Sequence, residues 1–246
     1  MKPTATKCIT TILTLAMVLH AGLLMAAGST ADGATATVSL LLFDEEEPGT
    51  GSYPVRYLVN DAYLRIDDGY DASDYVLLDR ASSTIYSVSH EHGNILVINR
   101  QPQAAVPASL KLSRERVTGG DAPAISGRQP LHYRYTANDE LCYEAMVVPG
   151  LMQAAVDGLA EYERLLAGQQ ATKLGNTPVE YQTPCFLSRY IYAPGRHLAQ
   201  GLPIQLWDSS GFRRALVNFS GNENVPQALF EVPSEYPQIT IGAVAE

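Results

Sequence analysis

Two histidines in alternation, His90 and His92 of His90-Glu91-His92, are the closest this sequence comes to a metal-ligating pair, because alternate residues of a strand point to one face. Gly93-Asn94 follows them and marks a hairpin turn, and a metal would need a third ligand from elsewhere. The stretch therefore reads as a solvated turn, with a metal site as its alternative. The run Asp67-Asp68-Gly69-Tyr70-Asp71-Ala72-Ser73-Asp74 carries the hard oxygens that calcium takes, but it departs from the EF-hand order and reads as an acidic loop. No Gly-x-Ser-x-Gly elbow, Walker-type loop or dinucleotide fingerprint is present. His132 and His197 each stand alone, and both read as structural or surface histidines. Arg189, Arg196, Arg213 and Arg214, with Tyr190 and Tyr192, make the one locally basic, aromatic neighbourhood. It could receive an anionic head group or a partner, or simply balance an acidic chain. Asn218-Phe219-Ser220 matches a glycosylation acceptor, which matters only in a eukaryotic source.

These side chains are carried on a chain that begins like an exported protein. Lys2 and Lys7 precede an apolar run from Ile9 to Met25, and small residues follow from Ala26 to Ala31, which is the order of a secretory signal peptide over residues 1 to 31. The run contains Thr10, Thr11, Thr14 and His20 and barely reaches the roughly 20 apolar residues of a spanning helix, so cleavage is expected over anchorage. Cys8 lies before the run and not at its end, where a lipid-modified cysteine would sit. Two of the 17 lysines and arginines and none of the 26 acids lie in this leader, so cleavage moves the formal charge from −9 to −11. So acidic a protein lacks the basic stripe that nucleic acid or an anionic membrane surface requires. The acids crowd at Asp44 to Glu47 and Asp61 to Asp79, which reads as solvated turns. Cleavage also leaves only Cys142 and Cys185 in an oxidising, periplasmic or extracellular compartment, where one disulfide is expected; an unpaired reactive thiol is the alternative.

Roughly 215 residues suit one domain, 32–246. After a Gly/Thr/Ala-rich start and the acidic run, short alternating segments follow: 53–59, 63–67, 75–79, 84–89, 95–98, 110–117, 131–136 and 141–147. Short links between them favour an antiparallel meander. Within 63–67, Leu64 and Ile66 are expected to face the core, and Tyr63, Arg65 and Asp67 to face away. The period changes after Pro149-Gly150, where Leu151, Ala155, Leu159, Tyr162 and Leu166 recur at helical spacing, with Met152 and Val156 beside them and Glu161, Glu163 and Arg164 off the stripe. This helix should stop near Gly168. A shorter helix is suggested over 184–192, capped by Thr183 with Pro184 in its first turn. Strands return at 204–208, 212–219 and 229–232, so the fold class is mainly β (α+β) with helices packed on one sheet.

The order of a leader, antiparallel strands and a helix-bearing insertion, then Gly201-Leu202-Pro203-Ile204 opening a late strand and Phe230-Glu231-Val232-Pro233 with Tyr236 near the end, resembles the periplasmic lipoprotein-carrier (LolA-like) half-barrel group and its exported relatives. The resemblance implies an open antiparallel half-barrel whose concave face holds one long and one short helix, with a lipid or other apolar ligand between sheet and helices. The wall expected for that ligand is Met152, Leu159, Tyr162 and Leu166, with Trp207 on the late strand. No cofactor is implied and no catalytic residue is assigned. Two other classes stay open: an exported metal-dependent enzyme using His90 and His92, and an interaction or assembly factor without a ligand.

Overall fold

The apolar run Leu40 to Phe43 forms the middle of a long central strand, β1 (Thr35–Glu46), in a region the sequence presents as a small-residue start and an acidic turn. The computed structural model describes residues 33–119 and 122–241; the signal peptide expected over 1–31 lies outside them. From β1 the chain meanders through β2 (Tyr53–Val59), β3 (Tyr63–Asp67), β4 (Tyr75–Asp79), β5 (Thr84–Ser89) and β6 (Asn94–Asn99), each antiparallel to the one before. A second series, β7 (Leu112–Val117), β8 (Leu131–Ala137), β9 (Glu140–Val148) and, after the helices, β10 (Leu202–Trp207), ends on β11 (Arg213–Pro226), which returns to pair with β1. The last strand, β12 (Gln238–Thr240), joins parallel to β6. The result is one open sheet in the order β12-β6-β5-β4-β3-β2-β1-β11-β10-β9-β8-β7. The protein is mainly β, as its alternating segments indicate.

Helix α1 (Gln153–Lys173) lies on one face of this sheet. Its Ala155, Val156 and Leu159 pack on Leu41, Phe43, Tyr57, Leu64, Leu78 and Ile85. The helix does not stop at Gly168 but continues past it to Lys173. Gly168 is there for space: a Cβ added to it would lie 2.7 Å from the Gln101 carbonyl oxygen, and one added to Gly158 would lie 2.8 Å from Val59. Both glycines let the helix approach closely, which is a different use from a helix stop. The second helical segment starts as expected. Thr183 Oγ1 accepts the Phe186 N–H at 3.2 Å, Pro184 occupies the first turn of α2 (Pro184–Phe186), and the chain runs on into a π-helical stretch, Leu187–Tyr192. The Cys142–Cys185 disulfide fastens this segment to β9. Beneath it Tyr133, Tyr135, Tyr143 and Leu206 form a further cluster with Leu187 and Phe212.

The opposite face is covered as well, and this corrects two sequence expectations. The stretch 229–232 is not a closing strand: Gln227–Phe230 is a 3-10 turn whose Leu229 and Phe230, with Val232 and Tyr236, cover Val38, Leu58, Leu77, Val88 and Ile95. Consequently Arg65 and Asp67 do not face solvent. Arg65 is 2 % exposed; it donates to Asp67 at 2.6 Å and to the Leu229 carbonyl at 2.6 Å, and its guanidinium lies 3.8 Å from the Tyr75 ring centre. Arg56 completes the cluster on Asp67 at 2.8 Å. Nor are the acidic runs all solvated, since Glu45 is 7 % exposed.

Leu159→Ala should therefore destabilise by about 2–5 kcal/mol through lost burial and a residual cavity. Gly168→Ala, which helix propensity alone would reward by about 1 kcal/mol, should instead cost about 1–3 kcal/mol because the new methyl meets the Gln101 backbone. Denaturant midpoints check both; a Gly168→Ala variant as stable as the parent would show that α1 is not seated against 101.

Candidate functional site

The face that carries α1 is not filled evenly. Where β1, β9 and β11 meet α1 and the chain around 189–197, a cavity of about 280 Å³ remains. Strand alternation sends Glu45 to the same side as Leu41 and Phe43, and the β1–β11 register sets Glu45 opposite Arg214. Arg214 Nε donates to Glu45 at 2.8 Å, and its guanidinium lies between 5.6 and 6.0 Å from the ring centres of Phe43, Tyr57 and Phe212. From the other wall, Arg189 on the π-helical stretch donates to Asp208 at 2.6 Å and lies 4.9 Å from the Phe212 ring and 5.5 Å from the Tyr143 ring. Asp208 is itself held by the Ser210 backbone and hydroxyl. α1 contributes Tyr162, Glu163 and Leu166, and the turn after the π-helix contributes Gly195 and His197.

Burial governs the electrostatics. It pushes the Glu163 carboxyl up, outweighing the downward pull of Arg214, Arg189 and the Gly195 N–H, and no arginine, lysine or histidine lies within ion-pair distance of it among the described residues. Burial, helped by the positive charges of Arg214 and Arg189, lowers His197 to about 3, so this imidazole is neutral at any ordinary pH. Burial also raises Tyr162 to about 12. Arg214 stays charged, since nearby Tyr57, Glu45 and Glu163 outweigh the cost of burying it. His197 is only 4 % exposed, and neither of its ring nitrogens has a hydrogen-bond partner. The site thus offers two fixed cations, a neutral imidazole and a carboxyl reluctant to ionise, all set among aromatic rings. Among the described residues no hydroxyl or thiol is hydrogen-bonded to the imidazole nitrogens.

Comparison with known proteins adds little. No family model and no curated protein matches the sequence. Two solved structures of PNGF-II are similar in part: the one in space group C2 at 9 % identity and TM-score 0.41, covering 84 % of this chain and 31 % of that one, and the one in P21 at 8 % identity and TM-score 0.38, covering 83 % and 32 %. The chain therefore spans about a third of those proteins, and a likeness of this size carries no argument about function.

Of the residues expected to form a ligand wall, Tyr162 and Leu166 line the cavity. Leu159 is buried beneath the helix in the main core, and Met152 packs at the start of α1 with its backbone in the left-handed region. Trp207 is not with them. Its neighbour Leu206 points to the helix-bearing side, so Trp207 points away, its ring 5.3 Å from His132. Glu163, placed by the helical spacing off the buried stripe, turns out to belong to the cavity. Of the basic neighbourhood, Arg189, Arg214 and Tyr190 reach the cavity, while Arg196 bonds the Thr136 carbonyl and Arg213 is exposed. His90 and His92 are exposed in the β5–β6 turn, His90 against Tyr236 at 3.1 Å. No group of three metal-ligating side chains occurs among the described residues.

A carboxyl raised in the folded state holds its proton more tightly there than in the unfolded chain. Its contribution to stability is thus fully present below its ordinary value of 4.5 and is lost as pH rises through the folded value. Glu163→Gln, which cannot ionise, should accordingly have a higher denaturant midpoint than the parent at pH 8 and show little difference at pH 4. Coincident midpoints at pH 8 would mean that Glu163 is solvated.

Proposed function

We propose that this chain is an exported, non-enzymatic binding protein on the half-barrel plan of the lipoprotein carriers, holding a partly apolar ligand between sheet and helices. The observation that carries the reading is the cavity on the helix-bearing face, where Tyr162, Leu166 and Phe212 supply apolar wall and the ring nitrogens of His197 are buried without partners. Buried polar groups are almost always satisfied, and one left open at a cavity wall is a place for a ligand group. At about 280 Å³ the cavity falls just below the roughly 300–1,000 Å³ typical of small-molecule sites. A single short amphipathic molecule suits it better than several long acyl chains. Export is supported by the Cys142–Cys185 disulfide. Among the described residues, no helix is long and apolar enough to cross a membrane.

Two measurements test this reading. Titrating the oxidised protein with ten-carbon amphipaths and following backbone amides by NMR should perturb 162–166, 189–197 and 212–214, and Leu166→Trp, which fills the space, should remove the response. A protein indifferent to all such probes, and bare by native mass spectrometry when purified from its host, would overturn it. N-terminal sequencing of the protein from the cell envelope should return a start between Gly28 and Gly33; a start at Met1 would refute export by cleavage.

A further inference from the structure

Resting on that reading, we infer that the ligand carries an anionic head, a carboxylate or a phosphate, held by Arg189 and Arg214 with His197 as a hydrogen-bond partner.

The two guanidinium groups are already oriented for this. Each is tethered through one nitrogen, Arg189 by Nη1 to Asp208 and Arg214 by Nε to Glu45. An arginine has five N–H donors in a rigid fork, and among the described residues neither guanidinium makes a further hydrogen bond. Phe212 is a shared apolar neighbour of both, its ring centre 4.9 Å from the Arg189 guanidinium and 6.0 Å from that of Arg214.

Charge decides between an anionic and a cationic guest. Glu45 and Asp208 each already serve an arginine. A cation would therefore have to rely on Glu163, in the field of two positive charges and held by burial toward its neutral form, and on Glu47, which is exposed at the cavity's rim. An anion meets two cations with unused donors, and a protonated Glu163 could donate to it as well. His197 then gains a role that its surroundings otherwise deny it. A neutral imidazole has one donor and one acceptor nitrogen; both are buried at the cavity wall, and an anion can accept from the donor. Tyr162 and Leu166 flank the remaining space, which suits a short apolar body behind the head.

The test is calorimetric titration of the oxidised protein at pH 7.5 with three ten-carbon probes: decanoate, decyl phosphate and 1-decanol. One of the anions should bind at least tenfold more tightly than the alcohol, and whichever anion is tighter names the head. Arg189→Gln should reduce that preference at least tenfold. His197→Phe keeps a ring in the same space and removes the two unpartnered nitrogens, so it should fold at least as stably while reducing the preference several-fold. Equal affinity for alcohol and anions in the parent, or a preference unchanged in both variants, would overturn the anion clamp while leaving an apolar binding cavity standing. Failure of all three probes to bind would overturn the cavity reading itself.

Discussion

The pairing of β1 with β11 is the contact on which the remainder of the molecule depends. β2 to β6 could form a meander by themselves, and so could β7 to β10, but only β1 and β11 join the two halves into one sheet. The seam runs from Thr35 opposite Pro226 to Glu46 opposite Arg213, interrupted between Val38 and Leu40 and between Leu42 and Phe43. Such irregularities bend and twist a strand, which is where a broad open sheet can acquire curvature. At the end of the same register, Glu45 faces Arg214. The ion pair at the cavity is thus a consequence of the seam: a slip of one residue would turn Leu41, Phe43 and Glu45 to the other face and take Arg214's partner with them. Removing either member would strand a buried charge, at a cost of about 3–5 kcal/mol.

Covering the sheet on both faces changes what the polar residues of the meander must do. A one-sided sheet leaves alternate residues in water, and under that rule Arg65 and Asp67 belong outside. Here the segment 227–236 lies over them. Arg65 becomes a bracket between β3 and the Leu229 carbonyl, while Asp67 takes both Arg56 and Arg65. Burial pushes the Asp67 carboxyl up, but the hydrogen bonds from the two arginines and the Gly69 N–H outweigh it and hold it below its ordinary range. Its stabilising contribution is present above the ordinary carboxylate value and is lost as pH falls through the depressed one.

This contrast explains which parts of the fold are legible in the sequence. β2 to β6 are short and closely bounded by turn residues, and their bounds can be read almost to the residue. β1 escapes that rule because a central strand buried on both sides shows a continuous apolar run, Leu40 to Phe43, with no alternation to detect. Gly168 reads as a helix stop because local chemistry cannot show that the Gln101 backbone will lie against it. At the site, Tyr162 and Leu166 are visible from helical spacing, and Arg189, Tyr190 and Arg214 from their local basic and aromatic character. Glu45, Tyr143 and Phe212 are not, since what brings them together is strand register across the seam, a property of topology. Glu163 is misplaced by spacing: the helical period sets it off the apolar stripe, yet one residue from Tyr162 its side chain reaches the cavity.

What keeps so polar a cavity from collapsing is that its walls are fixed independently. Arg214 is held by sheet register and Glu163 by a helix seated through Gly158 and Gly168. Arg189 rides on a segment fastened to β9 by Cys142–Cys185 a few residues away. In the chain-entropy picture a crosslink over 43 residues contributes roughly 4 kcal/mol, enough to offset the cost of holding several polar groups away from water. The same disulfide has a local effect that its contribution to global stability does not capture. It joins Cys185 to the strand that carries Tyr143, so the segment bearing Arg189 is tied covalently to the aromatic floor. Among the described residues the Tyr135 hydroxyl and the Gln169 side-chain nitrogen are also buried without partners, but His197 is the residue with both ring nitrogens left open, and it alone of these lines the cavity. In a chain whose other buried charges are so consistently paired, that departure sits where three rigid elements converge, which is where a binding site has its geometry set in advance of its ligand.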